Sequence, residues 1–243
     1  MLWGLFELEG LPTQLADFLK GFENDPLGPV AALNALPAFL KAKVGAGKVE
    51  GKVEDGAVLH GAVWVGAGSI VHSGAVVEGP VYIGKHVTIR PHANVRHGSY
   101  LADNCVIGHS ADVKNILALE GAKIQDGTFA GDGILGRGAR VGSGAILANR
   151  KFNQSAIKCD WGAGAVDSKR DFLGAFMGDQ SRVGANVVAS PGAVVGAHSW
   201  VGSGVVLNGY IAPDQLVTVK QELDVRPKER VSLKAGAAVT YSG

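Results

Sequence analysis

The chain has 243 residues, a formal net charge of +1 at pH 7, and 47% apolar residues. This length fits one extended domain or one domain with a small cap, and the balanced charge and apolar content exclude a disordered chain and a basic nucleic-acid binder. Glycine is the compositional outlier, with 36 residues where a typical chain has ~7%, so a repetitive use of glycine is expected.

Residues 1–42 predict a short helical cap on the first coil of the segment that follows. A helix begins near Pro29, and we expect Pro37 to kink or end it. The chain starts without the basic segment of a signal peptide, and no apolar run approaches the ~18 residues of a membrane span. Two cysteines form no disulfide framework, and free thiols suit a reducing compartment. We therefore predict a cytoplasmic protein without a membrane or nucleic-acid partner.

A six-residue repeat dominates residues 43–215. Small or β-branched residues stand four positions after most members of the repeat, and glycine often follows directly. Short strands that turn every six residues close a triangular coil of about 18 residues, and such coils stack at the ~4.8 Å spacing of strands. We therefore predict an all-β fold, a single-stranded parallel β-helix of about eight coils. The repeating aliphatic positions are Val53, Leu59, Val65, Val71, Val77, Ile83, Ile89, Val95, Leu101, Ile107, Val113 and Leu119.

The repeat is interrupted twice and then ends. Its phase slips over residues 125–133, and a long mixed loop is inserted over residues 150–182. A loop of that length is usually functional or contacts a partner. Residues 216–243 are predicted as a C-terminal tail.

Residues about 18 positions apart should stack in columns on the outside of the coils. Arg90 and Asp126 share one such column, and Arg96, Lys114 and Asp132 share another. Alternating charges in a column stabilise stacked coils modestly. Alternatively, Arg90, Arg96 and Lys114 converge on adjacent coils and bind an anion such as a phosphate.

The pattern resembles the hexapeptide-repeat family, whose fold is a left-handed parallel β-helix. Within it, the segments GPVYIGKHVTIRPHANVR, NCVIGHSADVKN and VGSGAILAN and the later DSKRDFLGAFMGDQSRVGANVVASPGAVVGAHSW resemble the acetyltransferase half of bifunctional sugar-1-phosphate nucleotidylyltransferase/acetyltransferases. The resemblance covers roughly residues 26–215. The glycine-rich loop of the nucleotidylyltransferase half has no counterpart here, so we expect no nucleotidyl transfer by this chain alone.

The resemblance implies a homotrimer that uses acetyl-CoA as co-substrate, without a metal, to acetylate an amino-sugar phosphate or nucleotide sugar. The resemblance also implies the site residues, matched position by position. The positions that contact the substrate in the family are occupied here by Arg90, Lys114, Asn149 and Lys158, and those that contact the coenzyme by Ala185 and Ser203.

The chain departs from the family at the catalytic base. The family reads His-x-x-Tyr-x-Gly-Asp where this chain reads DGTFAGD, so that Asp126 replaces the histidine and Phe129 the tyrosine. Ser155 stands where the family has a second loop lysine. Asp126 is one candidate for the base, but aspartate is a weak base at pH 7. A second candidate is therefore His109, which lies about one coil earlier.

Three alternatives to the acetyltransferase remain open. Loss of the histidine and tyrosine fits a binding or assembly module that holds a sugar phosphate and partners a separate nucleotidylyltransferase. A zinc hydrolyase resembling gamma-class carbonic anhydrases would need three protein ligands. One arrangement offers His92 and His97 but has Gly56 at the remaining position, and another offers His109 but is followed by Lys114 where a further histidine is expected. The last alternative is a purely structural trimer.

Overall fold

The structure, a computed structural model, describes residues 3–162 and 164–227. Its strands form three parallel sheet faces around one interior, and the chain visits the faces in turn. The predicted fold class, an all-β left-handed parallel β-helix, is confirmed. Within the described residues each of two faces holds nine strands, so the solenoid has about nine coils.

We name the three faces by what lies on their outer side, with strands numbered in chain order. The packed face, which carries the helices, contains β1 (Lys48–Val49), β4 (Val63–Val65), β7 (Val81–Ile83), β10 (Ser99–Leu101), the second halves of β12 (Asp112–Ala118) and β14 (Phe129–Leu135), β19 (Phe176–Met177), β22 (Val194–Val195) and β25 (Tyr210–Ile211). The open face contains β3 (Val58–His60), β6 (Val76–Glu78), β9 (Asn94–Arg96), the first halves of β12 and β14, β16 (Ile146–Leu147), β21 (Val188–Ala189) and β24 (Val206–Leu207). The basic face contains β2 (Lys52–Val53), β5 (Ile70–Val71), β8 (Thr88–Ile89), β11 (Val106–Ile107), β13 (Lys123–Ile124), β15 (Arg140–Val141), β20 (Arg182–Val183), β23 (Trp200–Val201) and β26 (Leu216–Val217).

The repeating aliphatic residues fill the interior, as their period predicts. Val65, Val71, Val77 and Ile83 are fully buried on four successive sides of the coil. Small residues such as Ala75 close the corners between them. Each fully buried aliphatic side chain contributes about 1.5–3 kcal/mol, so the stack of coils is held by a continuous apolar column.

The phase of the repeat slips one coil earlier than predicted. Strand β12 runs straight through the corner between the open and packed faces. Earlier coils pair residues that are 18 positions apart, whereas Tyr100 pairs with Leu117, which is 17 positions later. Ala118 therefore faces the interior, whereas Leu119 packs on the outside against the helices. Strand β14 shortens the next coil in the same way, because Leu117 pairs with Ile134. The prediction that Leu119 continues the interior column is wrong for this reason.

The corners explain the positions of many glycines and of several asparagines and histidines. Where the packed face turns into the basic face, one residue per coil has a positive φ, a conformation that glycine, asparagine, aspartate and histidine tolerate best. Several histidines of the chain are therefore corner residues. The residues of this corner column are Gly68, His86, Asn104, Gly121, Gly138, Gln180, His198 and Asp214.

Two helices lie along the outside of the packed face. Helix α1 spans Thr13–Lys20 and α2 spans Pro29–Val44. Helix α2 begins at Pro29, as predicted, but continues through Pro37 instead of ending there. It contacts β7, β12 and β14, so the N-terminal segment covers the side of several coils and not only the first coil. A second apolar cluster fills the space between the helices and this face.

Within the described residues the solenoid is interrupted once, by an excursion after β16. This excursion contains the antiparallel hairpin of β17 (Lys158–Asp160) and β18 (Ala165–Asp167), and the chain rejoins the packed face at β19. The solenoid continues to β26, which pairs with β23. Much of the predicted tail, residues 228–243, lies outside the described residues. In the described part of the chain, no helix has the length and apolar character needed to cross a membrane.

The two cysteines should be unreactive in the folded protein. Burial raises the pKa of Cys105 and of Cys159 to about 12, so both thiols stay protonated and shielded at pH 8. We expect no reaction with a disulfide reagent in native protein and two reacting thiols per chain in denaturant. Rapid labelling of either cysteine in native protein would contradict this packing.

Candidate functional site

A buried carboxylate lies at the corner between the open and packed faces. The Asp132 side chain is only 3% exposed. Its Oδ1 accepts hydrogen bonds from Asn115 Nδ2 at 2.8 Å and from the Arg170 guanidinium at 3.1 Å, and its Oδ2 accepts one from Asn149 Nδ2 at 2.7 Å. Lys114 Nζ lies 3.7 Å from Oδ2. We call these five residues the Asp132 cluster.

The shortened coils build this cluster. Because β12 and β14 run through the corner, Lys114 pairs with Gly131 instead of Asp132, one position off the predicted column. Asn115 and Asp132 both adopt positive φ there. Asn149 lies at the same corner of the next coil. The side chains of Asn115, Asp132 and Asn149 therefore stack on three successive coils, joined by hydrogen bonds.

Aromatic rings and further cations surround the cluster. Lys114 Nζ and the Arg150 guanidinium each lie 4.8 Å from the centre of the Phe172 ring. A Cβ atom at Gly131 would lie 3.0 Å from both the Phe129 ring and Asn149, so these two side chains pack closely against the backbone of this glycine. Lys114, Arg150 and Arg170 outnumber the Asp132 carboxylate, which makes the corner suitable for an anionic ligand.

Arg90, His109 and Asp126 meet at the other edge of the open face, where it adjoins the basic face. Asp126 Oδ1 accepts a hydrogen bond from the backbone N–H of His109 at 2.8 Å and lies 3.7 Å from the Arg90 guanidinium. The rings of His92 and His109 are 5.6 Å apart, edge to face. The histidine candidate and the aspartate candidate for the catalytic base are therefore neighbours.

Asp126 has structural counterparts elsewhere in the solenoid. Asp103 accepts the backbone N–H of Lys85 at 2.8 Å, and Asp179 accepts that of Arg137 at 2.7 Å. In each case the aspartate stands two residues after an inward aliphatic residue and binds the equivalent position of the preceding coil. This recurrence gives the Asp126 carboxylate a corner-closing role.

The expected convergence of Arg90, Arg96 and Lys114 does not occur. Arg96 lies beside Lys114 on the open face, but its guanidinium makes two 2.9 Å hydrogen bonds to Asp112. Arg90 lies at the opposite edge of that face, beside Asp126. Lys158 lies apart from both groups, exposed on β17, where it pairs in register with Asp167.

The structure brings the two predicted coenzyme residues together. Ala185 and Ser203 line one groove of about 500 Å³ at the corner between the basic and open faces, and the N–H of Gly204 donates to the Ala185 carbonyl at 2.9 Å. Arg140 and Arg182 line the same groove, in register on adjacent coils. Neither arginine is among the residues predicted from the sequence, although each directly precedes an inward valine and so must point outward.

The proposed zinc ligands do not form a cluster. Within residues 3–162 and 164–227, no group of three or more His, Cys, Asp or Glu side chains is arranged to hold a metal ion. A zinc hydrolyase therefore gains no support from the geometry.

The fold and the repeat define a protein of the hexapeptide-repeat β-helix class, and comparison with known proteins narrows this. A family model described as the GMPPB C-terminal domain matches residues 77–160. The bifunctional protein GlmU of Methanococcus aeolicus is 34% identical over 213 residues, 87% of this chain and 51% of that protein. The bifunctional sugar-1-phosphate nucleotidylyltransferase/acetyltransferase of Sulfurisphaera tokodaii is 35% identical over 158 residues, 65% of this chain and 39% of that protein.

Among solved structures, the UDP-N-acetylglucosamine acyltransferase of Francisella novicida has a TM-score of 0.45 and 15% identity, covering 72% of this chain and 65% of that one. The resemblance stated from the sequence is confirmed by the similarity to these bifunctional proteins. The chain spans about half the length of the GlmU relatives it matches.

The corner role of Asp126 predicts equal effects of two substitutions. Asp126→Ala and Asp103→Ala each remove one inter-coil hydrogen bond, so each should lower the free energy of unfolding by about 0.5–1.5 kcal/mol. Urea denaturation of the two variants beside the wild type measures this. A stability loss confined to Asp103→Ala would show that the Asp126 bond does not hold its corner.

Proposed function

We propose that this chain is a coenzyme A-dependent acyltransferase that transfers an acetyl group from acetyl-CoA to an amino-sugar phosphate or nucleotide sugar. The observation that carries the proposal is the groove in which Ala185 and Ser203 lie beside Arg140 and Arg182. The homology to bifunctional sugar-1-phosphate nucleotidylyltransferase/acetyltransferases supports the same reaction class.

The charge along the basic face supports coenzyme binding. Lys123, Arg140 and Arg182 are in register on three successive coils, and no carboxylate of the described residues forms an ion pair with them. Stacked like charges repel each other unless an anion lies between them. The phosphates of coenzyme A supply that anion, and the Trp200 ring, 5.4 Å from the Arg182 guanidinium, offers a flat apolar surface beside them.

The two edges of the open face support binding of the acceptor. Lys114, Arg150 and Phe172 form a cationic and aromatic corner that suits the phosphate and ring of a sugar phosphate. Asn149 adds a polar contact beside Lys114. Arg90 supplies a further cation at the opposite edge, and Lys158 belongs to the proposal only as the loop lysine that the resemblance implies.

In the proposed reaction, the amine of the acceptor attacks the thioester carbonyl of acetyl-CoA. A C–N bond forms and the C–S bond breaks. The base takes the proton lost by the amine, and a proton is returned to the leaving thiolate, which departs as the free thiol of coenzyme A. His109 is the better candidate for the base, because imidazole can take up a proton near neutral pH, while Asp126 holds the backbone of His109 in place.

The proposal includes a homotrimer in the cytoplasm. The outer side of the open face has a column of exposed apolar residues, among which Val206 is 75% exposed and Val188 40%. Exposed apolar patches of this kind are typical of association surfaces, so we assign the contact between copies to this face.

The central experiment tests acetyl transfer from acetyl-CoA to a panel of hexosamine 1-phosphates and measures it as the release of free thiol. His109→Gln should lower kcat by about 10²–10⁴-fold if His109 is the base. His198→Gln, at an exposed corner far along the chain, is the matched control and should leave kcat unchanged. Sugar phosphate binding without turnover in the wild type would replace this proposal by the binding or assembly module.

The basic face provides a second, independent prediction. Arg182→Ala should raise the Kd of acetyl-CoA by about tenfold, because it removes one charge-assisted hydrogen bond to a phosphate. Lys52→Ala removes a cation from the same face where it already pairs with Glu54, and should leave the Kd unchanged. Calorimetry measures both, and equal affinities in wild type and Arg182→Ala would exclude this groove as the phosphate site.

A further inference from the structure

Asp132 is a buried charged group to which the proposed reaction gives no step. Its carboxylate receives three hydrogen bonds from side chains of three different parts of the chain: the preceding coil, the next coil and the excursion. Asp179 is equally well buried, but two of its bonds come from the backbone N–H groups of Glu7 and Arg137, so it only fixes chain segments. Asp132 instead orients side chains.

The hydrogen bond to Asn149 fixes how that amide is presented. Because the Nδ2 group of Asn149 donates to Asp132, its Oδ1 is the free polar atom of the amide. A free carbonyl oxygen accepts a hydrogen bond from a hydroxyl or amine of a ligand. Without the carboxylate the amide could rotate by half a turn and offer a donor instead.

The contact with Lys114 restrains that cation without neutralising it. The distance of 3.7 Å to Asp132 is longer than a tight charged hydrogen bond, and Lys114 keeps 24% of its side chain exposed. Arg170 takes the closer position at 3.1 Å and also donates to Asn34 of α2 at 2.8 Å. The charge of Asp132 is therefore balanced mainly by Arg170, which leaves the Lys114 ammonium available to a ligand anion.

We propose that Asp132 is a positioning residue of the acceptor site, which holds Asn149 with its carbonyl oxygen outward and Lys114 within reach of a phosphate. The ligand class is a phosphorylated sugar that carries a hydroxyl or amine near its phosphate. This inference rests on the proposed acceptor site, but it concerns binding and does not require turnover.

The test is calorimetric binding of glucosamine 1-phosphate. Asp132→Asn should raise its Kd by about tenfold and leave the Kd of acetyl-CoA unchanged. Asp179→Asn is the matched control: it alters a buried carboxylate of similar exposure and should change stability but neither Kd. A raised Kd in both variants, or in neither, overturns the proposal.

A variant that lacks the side chains of Lys114 and Asn149 distinguishes an effect of Asp132 on these two side chains from a general loss of structure at the corner. In the variant Lys114→Ala/Asn149→Ala, Asp132→Asn should change the Kd of glucosamine 1-phosphate, measured at high ligand concentration, by less than twofold. If it still weakens binding tenfold, Asp132 does not act through Lys114 and Asn149, and the proposal is wrong.

A measurement on the wild type covers the case in which Asp132→Asn fails to fold. The side-chain amide protons of Asn149 should exchange slowly with solvent in the free protein, and their NMR signals should shift when glucosamine 1-phosphate is added. Free exchange, or no shift with bound ligand, overturns the proposal, as does a wild type that binds no glucosamine 1-phosphate. Binding without acetyl transfer would instead remove the acyltransferase proposal and leave the role of Asp132 intact.

Discussion

The parallel pairing between successive coils is the constraint on which the rest of the molecule depends. Each short strand is hydrogen-bonded to the coil before and to the coil after, so every coil must follow nearly the same path around the solenoid axis. Six residues per side satisfy this requirement when the central side chain points inward and the corner residue accepts a positive φ. The interior aliphatic residues, the corner glycines and the corner positions of His86 and His198 all follow from that geometry.

The same constraint explains why functional groups gather at corners. Side chains in the middle of a side point either into the core or straight outward, whereas corner residues of adjacent coils lie close together and can share a ligand. Asn115, Asp132 and Asn149 form such a set at one corner, and Ala185 and Ser203 form one at another. The open face between the corners contributes mostly apolar residues and the Arg96–Asp112 pair.

The strict repeat made the fold predictable, since only a coil of three sides maintains a six-residue period over so many residues. The site was less predictable, because its columns depend on the register between coils. Counting 18 residues paired Lys114 with Asp132, but the straight path of β12 and β14 shifted the register by one and placed Asp132 between two asparagines. The contributions of Arg170 and Phe172 could not be predicted, because they come from an excursion that follows no period. Arg140 and Arg182, in contrast, could have been found by extending the outward positions of the repeat across the excursion.

The excursion after β16 leaves the solenoid and returns without disturbing it. Strand β14 pairs with β19 across the excursion in the same parallel manner as any other two neighbours, although 42 residues separate Ile134 from Phe176. The cost of closing a surface loop rises only slowly with its length, so the coils on either side do not constrain what the loop contains. Insertions, deletions or exchanges in this one segment would therefore reshape the corner around Lys114 and Asn149 while the nine-coil scaffold stays the same, which makes this loop the cheapest route by which a related chain could change its ligand.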